Sequence, residues 1–190
     1  MNITLSHIDK RFGDKVVLSD LSLTFFDGKT TLLMGESGKG KTTLFQLLLG
    51  FETPDKGEIT GLPKKISAAF QNDALCPQLS TLDNIRLALP SAKKEDILLS
   101  LEAVGLGEDA HTKASALSGG MGRRASVVRA MLSDAPLVLL DEPFRGLDEE
   151  TKERTAALIV KEKRGRTLIV ITHDRADKEL LEAEAVISLG

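Results

Sequence analysis

The apolar positions of this chain fall into short runs separated by polar and glycine-rich stretches, and the runs are of two kinds. "KTTLLMG", "PLVLLDEP" and "RTLIVITHD" are apolar over the length of a strand, and each halts at glycine or at acidic residues. Unbroken runs of that length suit strands buried on both faces of a parallel sheet. The other kind is built of helix formers. "KTTLFQLLLG" follows directly on the first strand and closes on glycine, giving strand, loop, helix. "LDEETKERTAALIVKEKRG" has Asp148 as N-cap, acids in its first turn, bases in its last and Gly165 as terminator. "DRADKELLEAEA" predicts a further helix and "AVISL" a last short strand.

The middle of the chain differs in character. "SAKKEDILLSLEAVGLGED" predicts a helix capped by Ser91, with Ile97, Leu98, Leu101 and Val104 near helical spacing. It lies between two apolar strands and lengthens the crossover far beyond a loop, so residues 72–117 are expected to form a small helical subdomain within one domain spanning 1–190. "NITLSHI", "KVVLSDLSLTF" and "GEITG" predict an N-terminal antiparallel β patch. The expected fold class is α/β, with a mostly parallel central sheet.

Bulk properties narrow the function. At 190 residues there is room for one substantial core, and the 42% hydrophobic and 28% charged content is that of a globular protein. A net charge of -3 provides no polybasic footprint, so no nucleic-acid partner is expected. Cys76 is the single cysteine, so there is no disulfide framework and a reducing compartment suits the chain. No apolar run approaches bilayer length, so a membrane role would come through a partner. His7 and His111 have no ligand partners at metal spacing, and nothing near Cys76 suggests nucleophilic activation.

Chemistry enters at "GESGKGKTT". Gly35, Gly40, Lys41 and Thr42 match the spacing of a phosphate-binding loop, after a predicted strand and at the start of a predicted helix, which is the context that motif needs. Small residues let backbone N–H groups close on phosphate, and the helix N-terminus adds its positive end. Lys41 is expected to reach the β and γ phosphates, and Thr42 to ligate Mg2+ through its hydroxyl. Glu36, Ser37, Gly38, Lys39 and Thr43 complete the wrapping stretch. Asp141 and Glu142 end the strand "LVLLDE", so Asp141 suits Mg2+, directly or through water, and Glu142 suits polarising an attacking water. Acids often stop strands, and only the phosphate loop moves this pair toward function. "ALSGGMGRR" is a second glycine cluster, in which Ser118, Gly119 and Gly120 offer a hydroxyl and bare backbone at a helix start. By itself such a start is commonplace.

Taken in order, "GESGKGKTT", "FQND", "LSGGMGRR", "LVLLDEP", "GLD" and "ITHD" resemble the ATP-binding cassette ATPases over the whole chain, "LSGG" being the decisive element. The resemblance implies a P-loop NTPase that hydrolyses ATP as a dimer, with Ser118, Gly119, Gly120 and Met121 of one subunit capping the ATP held by the phosphate loop of another. It implies that Gln71 senses Mg2+ and the attacking water, that His173 contacts the γ phosphate, and that Asp148 crosses the dimer interface. It also implies an aromatic ring at Phe12 against adenine, although a core phenylalanine is an equal reading of that residue. "NDALCPQLSTLDNIRLAL" resembles import-type cassettes, whose helical insertion docks a membrane-spanning permease near Gln71. The implied role is the ATPase subunit of an importer, cytoplasmic and peripheral on the inner face of the membrane. A cassette ATPase of repair, translation or assembly is the alternative, and a small P-loop kinase a weaker one. Met121 stands where this family often has Gln, and Arg145 where it has a small residue. Relatives often continue beyond "AVISLG", so the chain resembles a short version.

Overall fold

The computed structural model describes residues 1–36 and 38–189. In chain order its elements are β1 (Ile3–Phe12), β2 (Lys15–Phe25), β3 (Thr30–Gly35), α1 (Lys41–Leu48), β4 (Lys56–Thr60), β5 (Ile66–Ala69), α2 (Thr81–Ala88), α3 (Lys94–Ala103), α4 (Gly119–Met131), β6 (Leu137–Asp141), α5 (Glu149–Lys163), β7 (Thr167–Ile171), α6 (Asp177–Leu180) and β8 (Ala185–Leu189). Five strands form a sheet in the order β5-β6-β7-β3-β8, with every neighbouring pair parallel. Three form an antiparallel sheet in the order β2-β1-β4.

The alternation of side chains along a strand divides the apolar runs between two cores. Leu137, Leu139, Ile169, Ile171 and Leu33 pack with α1 and with Ile3, Leu5, Ile8 and Phe25 of the antiparallel sheet. Their immediate neighbours Val138, Leu140, Leu168, Val170 and Leu32 face the other way, against Val127 and Met131 of α4 and Ala156 and Ile159 of α5. β6 and β7 are therefore buried along their whole length, which is why they carry no alternating polar residues.

A third core joins α2 and α3 to α4 and α5: Leu82, Ile85, Ile97, Leu101 and Val104 pack with Ala125, Val128 and Leu158. Its polar pin is Asn84, buried in α2. Its amide accepts from the Cys76 N–H at 2.7 Å and donates to the carbonyls of Cys76, Leu79 and Ser80.

Two local expectations are corrected. Lys93, with no side-chain hydrogen bond, stands at the N-cap of α3 in place of Ser91, and acids at Glu95 and Asp96 occupy the first turn. The helix expected from "DRADKELLEAEA" is the single turn α6. Asp177 in that turn is buried and bound to Thr172 and Lys152, and Glu182 takes a left-handed φ of 50°, which stops the helix. Asp148 does cap α5, accepting from the Thr151 N–H at 2.9 Å, while the C-terminal turn ends on Arg164 at φ 50° one residue before Gly165.

Candidate functional site

The carboxyl ends of β3, β6 and β7 open into one cleft of about 570 Å³. Gly35, Gly38, Gly40, Lys41, Thr42 and Thr43 line it from the loop and from α1. Gln71, Asp141, Glu142 and His173 line it from the neighbouring strand ends, and Phe12 from the antiparallel sheet. The alternative of a core phenylalanine is excluded: Phe12 is 44% exposed. Glu36 and Lys39 lie exposed on the outer side of the loop. Ser37 lies outside the described residues.

The start of α1 is built for an anion. Its N-cap is Gly40 at φ 88°, with no capping side chain and no acid in the first turn. A side chain at Gly40 would meet Leu18 Cδ2 at 2.6 Å as well as straining the backbone. Among the described residues no side chain caps the first-turn N–H groups, which suits them to an anion. Lys41 Nζ meanwhile donates to the carbonyl oxygens of Gly35 at 2.6 Å and Glu36 at 2.8 Å, so its charge is held over the loop.

Asp141 is buried, and burial together with the neighbouring Glu142 carboxylate raises its pKa above the ordinary value, against the pull of Arg123 and Lys41. A buried acid whose negative charge is incompletely offset is a fit for a divalent cation. Among the described residues no group of three or more His, Cys, Asp or Glu forms a metal cage. Mg2+ is usually held by one or two carboxylates with phosphate and other oxygens, and Thr42, Gln71 and Asp141 bring a hydroxyl, an amide and a carboxylate into this one cleft.

Glu142 leaves β6 with a left-handed φ of 51°, anchored by its N–H to the Ile171 carbonyl at 2.9 Å. For a residue with a side chain that conformation costs about 1–3 kcal/mol. Its carboxylate faces His173 Nδ1 at 3.0 and 3.1 Å, joining the two strand ends. Sequence reasoning placed both residues but did not foresee their contact. It also missed Lys15 and Val17, which line the cleft. The two-residue turn Gly13–Asp14 pairs Phe12 directly with Lys15, and that short turn was the available signal.

A further missed residue steadies the His173 turn from behind. Lys152 of α5 bridges Asp174 at 2.6 Å and Asp177 at 2.8 Å. Despite its burial, those bonds and charges push the Lys152 pKa far upward, and bonding to Lys152 holds Asp174 below the ordinary value.

The second glycine cluster is elsewhere. Ser118 is the N-cap of α4 and accepts from the Met121 N–H at 3.3 Å, beside a depression of about 250 Å³ that Ser118, Gly119 and Gly122 help to line. Ser118 and Gly119 are exposed, whereas Met121 packs against the third core. Asp148 and Arg145 are also exposed and away from the cleft lining.

The comparisons with known proteins agree with one another. A family model described as ABC transporter matches residues 18–145. The aliphatic sulfonates import ATP-binding protein SsuB 1 of Paracoccus denitrificans (strain Pd 1222) is 35% identical over 98% of this chain and 78% of its own length. The spermidine/putrescine import ATP-binding protein PotA of Protochlamydia amoebophila (strain UWE25) is 33% identical over 92% of this chain, which spans 52% of that relative. The dimeric structure of MJ0796, a bacterial ABC transporter cassette, superposes with a TM-score of 0.86 at 26% identity, covering 98% of this chain and 94% of that one. A post-hydrolysis dimer of the same cassette, bound to ADP and Pi, superposes at 0.84.

Proposed function

The chain belongs to the ABC transporter family, and we propose that it is the ATP-binding and ATP-hydrolysing subunit of an importer, working as a dimer on separate membrane-spanning subunits. The single observation that carries the dimeric reading is Gly119. It has no positive φ, and a Cβ built on it meets nothing within 4 Å. A glycine at a helix start that its own fold does not require, beside an exposed serine, is suited to close approach by a ligand from outside the chain. The relatives named as import ATP-binding proteins support the direction, and the MJ0796 dimers support the pairing of two cassettes.

In this reading Lys41 and the free N–H groups of α1 bind the phosphates of ATP, and Phe12 stacks on adenine. Thr42, Gln71 and Asp141 hold Mg2+, which when bound neutralises phosphate charge. Glu142 takes the proton of the attacking water, and His173 holds the γ phosphate while its hydrogen bond orients Glu142. Ser118 and Gly119 of the second subunit close over the same nucleotide, and Asp148 and Arg145 face that partner. No helix among the described residues is long and apolar enough to cross a membrane. Attachment to the inner face of the membrane would therefore run through permease subunits seated near Gln71 and α2. Purified protein should hydrolyse ATP with no phosphoryl acceptor, at a rate per molecule that rises with protein concentration. A strict requirement for an acceptor would contradict this function.

A further inference from the structure

Where the chain leaves β5 it can no longer make sheet hydrogen bonds, and the carbonyls of residues 70–74 need other donors. Two arginines of one helix supply them. Arg123 of α4 donates through Nη1 to the Phe70 carbonyl and through Nη2 to the Gln71 carbonyl. Arg129, further along α4, donates to the carbonyls of Ala74 at 2.8 Å and Asp73 at 3.2 Å. Arg123 is only 7% exposed, so its charge is removed from water and set beneath the cleft, where it acts on Asp141 as well. The Asp73 carboxylate lies 3.4 Å from its Nη1. Gly122 makes that approach possible, since a Cβ there would come within 2.6 Å of Asp73 Oδ2. Gly122, Arg123 and Asp73 fit one another.

The same helix begins at Ser118. One rigid element thus touches the surface offered to a second subunit and, about a turn later, the backbone of a residue in this chain's own cleft. Resting on the function proposed above, we infer that Arg123 is a positioning residue for hydrolysis: it locks the Gln71 turn to α4, so that closure of a second subunit's nucleotide on Ser118 is felt at Gln71. A lysine could not replace it, because one ammonium lacks the planar fork that meets two successive carbonyls.

The test uses the full chain. Arg123→Lys and Arg123→Met should lower kcat for ATP by about 10- to 100-fold, the scale of a misplaced positioning group, with KM changed less than about twofold. In a Gln71→Ala background Arg123→Met should cost nothing further, since both changes remove one function. A spin label on the introduced thiol of an Asn72→Cys, Cys76→Ser chain should be immobile with Arg123 present and mobile in Arg123→Met. Losses that multiply with Gln71→Ala, a fall in melting temperature with kcat intact, or an unchanged label would overturn the inference while ATP hydrolysis by the unaltered chain stands. If Arg123→Met does not fold, Arg123→Lys decides by the same readouts. An unaltered chain without ATPase activity at any concentration overturns the functional reading, and this inference with it.

Discussion

Two helices of this molecule begin with glycine and serve phosphate in the proposed mechanism, yet their surroundings differ. The start of α1 sits in a deep cleft lined by four other parts of the chain, and its glycine is demanded by a left-handed φ and by the nearness of Leu18. The start of α4 sits at the surface, capped by its own Ser118, with a glycine at 119 that nothing inside the chain requires. One is a cleft whose floor and sides come from this chain. The other is an exposed helix start that, in the proposed function, becomes a wall of a site when a second nucleotide-loaded copy lies against it.

The largest effect should come from within the cleft. Glu142→Gln keeps size and hydrogen bonding to His173 but removes the base, so turnover should fall about 10²- to 10⁴-fold while equilibrium binding of ATP is retained. Near-normal turnover would remove Glu142 from the reaction and leave its strained backbone without a purpose. One substitution made at both helix starts should have opposite effects on stability. Gly40→Ala should destabilise the apo protein by more than about 1 kcal/mol, because the native φ is unsuited to alanine. Gly119→Ala should instead stabilise it slightly, by up to about 0.5–1 kcal/mol from helix propensity, and still lower ATPase activity. Chemical denaturation and steady-state rates read both. A destabilised Gly119→Ala would show that this glycine serves the fold after all.

The two regions also differed in how far the sequence exposed them. The phosphate loop is local: a strand, five residues and a helix start, all adjacent in the chain. β6 and β7 were legible because burial on both faces leaves an unbroken apolar run. The helical layer was legible in outline, from the spacing of Ile97, Leu101 and Val104. What stayed hidden depends on partners distant in sequence. Arg123 meets carbonyls more than fifty residues away, and Lys152 meets acids 22 and 25 residues on, so neither pattern is written near the residue itself. Arg166, just past the end of α5, likewise fastens two helix ends together, donating to the carbonyls of Met131, Ser133 and Lys163. The helix expected from "DRADKELLEAEA" is cut to one turn because Glu182 takes a left-handed φ, which no residue pattern nearby announces.

In the proposed dimer Lys41 and Ser118 act on one ATP from different chains. Mixing two variants in a Glu142→Gln background and weighing the products in solution with and without ATP reads this out. Lys41→Ala alone should not bind ATP, and Ser118→Arg alone should bind it and stay monomeric. Together they restore one composite site, built from the loop of the second and the exposed serine of the first, and an ATP-dependent mixed dimer should form, weaker than that of the parent. ATP-dependent dimers of Ser118→Arg by itself, or no mixed dimer at concentrations where the parent pairs fully, would contradict the shared site and leave the second glycine cluster as no more than the start of a helix.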